Sequence, residues 1–187
     1  MQQKRLILTS LFSALIIIGS YIRFPLPPVP FTLQTLFVLL AGFLGGSRMA
    51  LFSVGIYLLL GIIGIPVFSG GGGAAYLLGP TGGYLIGLIP ASLIAGIAGN
   101  FKDKGSHTKR YTLVCIVTAL VGTLTIYGFG VSGLKFSRSL SWKTALQLGM
   151  LPFIIGDLIK GIAAIQLTRS FYPRIEQFLD FPNQKDV

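Results

Sequence analysis

The sequence predicts an all-α integral membrane protein: a bundle of six transmembrane helices formed by a single membrane domain over residues 1–187. Three observations predict this class. The chain is 52% hydrophobic, and its mean hydropathy is +0.78. Only 11% of its residues are charged, against about 25% in a soluble domain. A chain so poor in charge cannot cover a water-facing surface, and its length fits one domain.

Six apolar segments account for the predicted helices. Most of them approach the ~20 residues that cross ~30 Å of hydrocarbon. None alternates polar and apolar residues as the strands of a membrane β-barrel do, whereas a helix satisfies every backbone amide within its own segment. The predicted spans are residues 6–22, 32–47, 49–65, 81–99, 111–131 and 147–168.

The first span follows two basic residues, Lys4 and Arg5, as the apolar part of a signal peptide would. It is long for a signal peptide and no A-x-A-like cleavage site follows, so we interpret it as a retained helix, with a cleaved signal as the alternative.

Ser10 and Ala14 form a small-xxx-small step on this helix. That spacing permits close packing, either within the bundle or against another membrane protein.

The connections between the next spans have unusual compositions. The first outer connection, residues 23–32, contains four prolines and is predicted to form a semi-rigid polyproline strap across the bundle. Only Ser47 and Arg48 separate the second and third spans, which predicts a tight hairpin. In the second outer connection, the run Gly70–Gly73 is either a binding loop or a plain linker, since glycine lets backbone approach a ligand closely.

The basic residues predict the orientation. With the amino terminus in the cytoplasm, ten of them fall in inner segments and four in outer ones, which fits the positive-inside rule. Both termini are then cytoplasmic in a protein of the cell membrane, surrounded by lipid bilayer. The net charge of +10 follows from this topology, so no nucleic-acid partner is expected. The inner residues are Lys4, Arg5, Arg48, Lys102, Lys104, Lys109, Arg110, Arg169, Arg174 and Lys185; the outer ones are Arg23, Lys135, Arg138 and Lys143.

The stretch GDLIKG, residues 156–161, places two charges inside the last apolar segment. Asp157 is the only acidic residue in any predicted span, and Lys160 shares its helix face because the two are three residues apart. Along a continuous helix from Gln147, at ~1.5 Å per residue, they lie ~15 and ~20 Å into the membrane. A charge at mid-bilayer costs about 2.5–3.5 kcal/mol on insertion scales, so such groups face protein or a water-filled cavity.

Two interpretations of Asp157 and Lys160 remain open. They form either a structural ion pair between helices, which contributes little net stability, or a polar site for a ligand. A carboxylate accepts hydrogen bonds and an ammonium donates them, so together they can bind a neutral group that does both, such as a urea.

Gln34, at the start of the second span, is either a ligand donor or a helix cap. Tyr84, at the start of the fourth, is either a cavity wall or a membrane-belt aromatic.

Catalytic motifs are scarce. Cys115 and His107 are the only cysteine and histidine, so neither a metal cluster nor a Ser–His–Asp set is available, and the ATP-binding pattern GxxxxGK[ST] is absent. We expect no metal and no cofactor, and uphill movement of a solute would need a partner or an ion gradient. Two alternatives stay open: an ion-coupled secondary porter in which Asp157 carries a proton, and an intramembrane enzyme with Asp157 as base and Lys160 as acid.

Three stretches together resemble the BioY family, the biotin-specific substrate-binding (S) components of energy-coupling factor (ECF) transporters. They are VPFTLQTLFVLLAG (29–42), GIPVFSGGGGAAYLLGPTGGYLIG (64–87) and GDLIKG (156–161). The resemblance covers the whole six-span layout and implies a bundle with an outward-opening biotin pocket. It also implies a transmembrane coupling subunit and two ATPase subunits as partners. ATP would be hydrolysed in those partners, and this chain would not be an enzyme.

The same resemblance implies roles for single residues. Asp157 and Lys160 would hold the ureido ring of biotin. Ser10 would stand where S components often have Ala against the coupling subunit, with Ala14 one turn further along.

Two polar positions of some family members differ in this chain. Gly71–Gly72 replace an Asn in the glycine run, and Leu85 replaces an Arg after the tyrosine. The glycine loop remains a candidate binding element. Arg23, on the first outer connection, is the candidate for contact with the biotin carboxylate.

Overall fold

The chain is mostly helical in a computed structural model that describes residues 2–101 and 109–180. Five of the described stretches are long and apolar enough to cross a membrane, the last being α5 and α6 together. The basic residues Lys102, Lys104 and Lys185 and the single histidine, His107, lie outside the described residues. The helices are α1 (Gln2–Tyr21), α2 (Gln34–Ile62), α3 (Gly82–Gly99), α4 (Lys109–Arg138), α5 (Trp142–Gly149) and α6 (Ile154–Asp180), and the strands are β1 (Arg23–Phe24) and β2 (Phe31–Thr32).

α2 folds back on itself at Gly46, where φ is 80° and ψ is 176°. Nε2 of Gln34 donates a hydrogen bond to Oη of Tyr57 at 2.6 Å. A straight helix would hold those two residues about 34 Å apart, at ~1.5 Å per residue. The two halves, residues 34–45 and 47–62, therefore lie side by side in opposite directions. The hairpin expected at Ser47 and Arg48 is made one residue earlier, by a glycine, because a positive φ is strained for other residues.

Small residues bring the central helices close together. The Cα of Gly42 on α2 faces Ala95 on α3, and Gly83 on α3 lies against Gly133 on α4. Close approach through Gly and Ala is the usual way in which membrane helices gain packing contacts. This packing holds α2, α3 and α4 as a rigid wall on one side of the site described below.

The first outer connection is a β-hairpin, so the predicted polyproline strap is wrong. Arg23 pairs with Thr32 and Phe24 pairs with Phe31, in antiparallel register. All four prolines of the segment lie between these two strands. Proline has no N–H to donate to a strand pair, so it occupies the turn while its neighbours form the ladder.

The last predicted span is interrupted before the two charged residues. A 3₁₀ turn, Leu151–Phe153, separates α5 from α6, and it contains Pro152, which cannot continue a helical hydrogen-bond ladder. Asp157 consequently lies in the first turn of α6. The depth expected from a continuous helix starting at Gln147 does not apply. Instead, the positive end of the α6 dipole lies at the carboxylate and stabilises its charge.

Candidate functional site

A cavity lies at the end of the bundle that carries the β-hairpin. It encloses about 600 Å³ of non-atom space, its open mouth included. Its walls are mostly apolar, and its polar groups come from distant parts of the chain. Those polar residues include Thr32, Gln34, Thr35, Tyr84, Tyr127, Asp157 and Lys160.

Lys160 is nearly fully enclosed at the base of this cavity. Its Nζ lies 2.6 Å from Oδ1 of Asp157, and the two side chains are 7% and 10% exposed. The same Nζ donates to the carbonyl of Thr32 at 2.8 Å and to Oγ1 of Thr35 at 2.9 Å. It also lies 3.7 Å from the ring centre of Phe31, a cation–π contact. Two of the three ammonium donors are thus hydrogen-bonded, and the charge is paired with the Asp157 carboxylate.

Asp157 is fixed by two elements. Tyr127 on α4 donates a hydrogen bond from its Oη to Oδ2 of the carboxylate. The other oxygen, Oδ1, is buried beside the Lys160 ammonium and receives no hydrogen bond from the described residues. A carboxylate oxygen has two lone-pair sites. Oδ1 therefore has hydrogen-bonding capacity that the described residues do not use.

The ion pair thus joins parts of the fold and also borders the cavity. Lys160 ties α6 to the end of β2 and to the first turn of α2. The same two charged side chains line the cavity. A structural ion pair and a ligand site, the two interpretations left open by the sequence, are therefore compatible. The same ammonium joins α6 to β2 and α2 and also lines the cavity.

Gln34 and Tyr84 both contribute to the cavity wall. Oε1 of Gln34 accepts from Oγ1 of Thr32 at 2.8 Å, and no side chain caps the start of α2. Its amide group is held between Thr32 and Tyr57. Tyr84 donates from Oη to the carbonyl of Gly149 at 2.7 Å, which connects α3 to the end of α5.

Arg23 lies further out. It is exposed and lines a second, more open cavity rather than the inner one. The two cavities share Pro30, Ser69, Tyr76 and Thr81 as lining residues, so they adjoin. Arg23 therefore borders the outer of two neighbouring cavities.

Gly71 and Gly72 are not among the residues that line either cavity. Gly71 has a φ of 135° and forms an isolated β-bridge with Phe68. Phe68 in turn packs edge-on against Tyr57, with 5.5 Å between the ring centres. The glycine run thus shapes the loop and positions the ring of Phe68 against Tyr57. Its neighbours Ser69 and Tyr76 are the loop residues that reach the cavity.

Sequence reasoning missed Tyr127 and Thr35. Tyr127 had a detectable signal, because a phenol in the middle of an apolar span needs a partner when it is buried. Thr35 had none: it lies beside Gln34 on a helix, and its contact with Lys160 joins residues 125 positions apart.

Ser10 and Ala14, the small-xxx-small step, are exposed on α1. Within the described residues this face of α1 packs on no other helix. It is open to lipid or to another membrane protein.

Five stretches long and apolar enough to cross a membrane, together with a mostly apolar cavity that holds a few placed polar groups, are the features of a multi-pass membrane protein with a small-solute site. Comparison with known proteins gives the particular family. The chain belongs to the BioY family, whose family model matches residues 1–177.

Individual relatives are similar to this chain over most of its length. The chain is 42% identical over 166 residues to the probable biotin transporter BioY of Pyrococcus horikoshii, covering 88% of this chain and 94% of that protein. It is 38% identical over 162 residues to the biotin transporter BioY of Thermotoga maritima, covering 86% and 91%. A crystal structure of the S-component for biotin from an ECF-type ABC transporter superposes with a TM-score of 0.81 at 32% identity, covering 91% of each chain.

Proposed function

We propose that this chain binds biotin at the outer face of the cytoplasmic membrane and mediates its uptake as the substrate-specific component of an ECF-type ABC transporter. The observation that carries the proposal is the buried Asp157–Lys160 pair at the base of a cavity open at the hairpin end. The relatives named as biotin transporters and the solved biotin S-component support the choice of ligand.

The chemistry of biotin suits this site. Its ureido group has two N–H donors and a carbonyl acceptor. The free capacity of Asp157 Oδ1 suits one N–H. The ureido oxygen takes a Lys160 donor, displacing the hydroxyl of Thr35 as its acceptor. The fused rings and the chain then lie among apolar wall residues, which include Leu85, Leu88, Ile126 and Phe153.

The other proposed substrate contacts lie above the ring. Gln34 and Tyr84 form polar parts of the wall. Arg23, beside the outer cavity, meets the carboxylate at the end of the chain, since guanidinium and carboxylate pair in a bidentate geometry. Gly71 and Gly72 act through the loop that they shape, which closes over the mouth together with the β-hairpin.

We further propose six spans with both termini in the cytoplasm. The reversal at Gly46 supports this count, because it divides α2 into two crossing segments. With α1, α3, α4 and the combined α5–α6 stretch they make six. This topology places the cavity mouth outside the cell.

The proposed partners are a transmembrane coupling subunit and two ATPase subunits, which hydrolyse the ATP. The exposed step of Ser10 and Ala14 on α1 is the proposed contact with the coupling subunit. Small residues let a partner helix approach closely.

Calorimetric titration of the detergent-purified chain with biotin, thiamine and riboflavin tests the function. The expected result is saturable binding of biotin alone, with one molecule per chain. Absence of biotin binding by folded protein would refute the proposal. Uptake by the isolated chain in liposomes that an uncoupler abolishes would instead identify an ion-coupled porter.

A further inference from the structure

A groove outside the biotin site runs between α1 and the second half of α2. It encloses about 830 Å³ of non-atom space, its open side included. Arg5 and Arg48 stand at one end, and the side chains of Leu6, Phe52 and Ile56 continue from them. This groove has no residue in common with the biotin cavity.

The two walls of the groove are fixed to each other and run parallel. Oγ of Ser13 donates to the carbonyl of Ser53 at 3.0 Å, and Oγ of Ser53 donates to the carbonyl of Thr9 at 3.1 Å. These bonds are buried and set Thr9 level with Ser53. One turn earlier on each helix, Arg5 and Arg48 therefore reach the same end of the bundle.

The charged end of the groove has no acidic partner in the described part of the chain. The side chains of Arg5 and Arg48 have no ion pair or hydrogen bond among the described residues, and both residues are exposed. Two guanidinium groups that border the same groove repel each other, so an anion between them relieves the repulsion and forms charge-assisted hydrogen bonds.

Apart from Thr9, the rest of the groove is apolar, and in the proposed orientation it lies along the membrane normal. Leu6 is 68% exposed and Phe52 is 63% exposed. From Arg48 to Ile56 the helix rises eight residues, or about 12 Å, against ~15 Å for half of the hydrocarbon core. A groove with an anion site at the interface and an apolar channel of this length matches a lipid with one acyl chain laid against the protein.

We propose that this groove binds one anionic phospholipid of the cytoplasmic leaflet. The phosphate lies between Arg5 and Arg48, because guanidinium groups match phosphate geometry, and an acyl chain lies along Leu6, Phe52 and Ile56. Basic sites between helices on the cytoplasmic side are suited to anionic head groups. The choice of leaflet rests on the proposed orientation. Leu6 and Ser10 are four residues apart and share one side of α1, so the acyl chain lies next to the proposed partner face.

The test is native mass spectrometry of the full chain in detergent, titrated with phosphatidylglycerol or phosphatidylcholine. We expect one phosphatidylglycerol molecule to be retained per chain. Arg5→Gln combined with Arg48→Gln weakens this retention about tenfold or more, the effect of two basic groups at a membrane surface. Arg110→Gln combined with Arg174→Gln removes the same charge outside the groove and leaves retention unchanged. Arg5→Lys with Arg48→Lys keeps the topology-determining charge and loses only part of the affinity.

Biotin titration of the same samples separates this proposal from the proposed function, because the groove variants are expected to bind biotin normally. Equal retention of the two lipids, or equal loss in the two double variants, would overturn the lipid site. Unchanged lipid binding by Arg5→Gln/Arg48→Gln, together with lost assembly with the coupling subunit, would also overturn it and would assign the arginines to an acidic protein segment.

Discussion

Tyr127 on α4 donates a hydrogen bond to Asp157 on α6, across the cavity that these two helices border. Asp157 Oδ2 is thereby occupied, and Oδ1 faces Lys160. The Tyr127 hydroxyl thus binds Oδ2, and in the proposed binding mode Oδ1 is the oxygen that accepts from the ligand.

Tyr127→Phe is expected to weaken biotin binding about tenfold, because a hydrogen bond to a charged group contributes about 1.5–3 kcal/mol. The carboxylate then loses its fixed orientation. Calorimetry measures the dissociation constant. Tyr172→Phe is the matched control, since Tyr172 also donates to a carboxylate, that of Glu176 at 2.9 Å, away from the cavity. Equal affinities for Tyr127→Phe and the parent chain would show that the phenol does not orient the site.

Arg23→Ala is expected to weaken biotin more than it weakens a biotin analogue whose carboxylate is replaced by an alcohol. The reason is the position of Arg23 beside the outer cavity, where the end of the biotin chain would lie in the proposed binding mode. Competition binding with both ligands measures the difference. Lys143→Ala, another exposed basic residue at this end of the bundle, serves as the control. Equal losses for both ligands would remove Arg23 from the carboxylate site.

Gly46→Ala is expected to lower the thermal stability of the chain. A residue with a side chain is strained at a φ of 80°, and the added Cβ would meet the side chain of Asn100. Gly55→Ala on the same helix is the control, because its Cβ meets nothing within 4 Å and Ala favours a helix by roughly 0.5–1 kcal/mol. Thermal unfolding in detergent should show a lower Tm for the first and an equal or higher Tm for the second. Equal Tm values would mean that the reversal tolerates a side chain.

The pairing of Asp157 with Lys160 was predictable, since residues three apart share a helix face. The rest of the Lys160 environment was not. Thr32 and Thr35 lie more than 120 positions away, and no local pattern indicates which helix start meets which lysine. The polyproline strap predicted for residues 23–32 was wrong for a similar reason. Arg23 pairs with Thr32 on the far side of the prolines, and proline composition alone does not indicate that pairing.

The glycine run illustrates a different limit. Its composition correctly indicated an unusual backbone, as the φ of 135° at Gly71 shows. Composition does not tell which residues of a loop face inward. Ser69 and Tyr76 line the cavity, and Gly71 and Gly72 do not.

The central claim is that Asp157 and Lys160 hold the ureido ring of biotin, and the most direct measurement is the biotin dissociation constant of Asp157→Asn in detergent. The amide keeps the shape of the side chain but loses the charge that pairs with Lys160, so biotin should bind at least about a hundredfold more weakly, as for other buried charge pairs that lose one partner. Glu176→Gln, at the other end of α6, should bind as the parent chain does. Unchanged affinity in folded Asp157→Asn would contradict the account and leave the pair a purely structural contact.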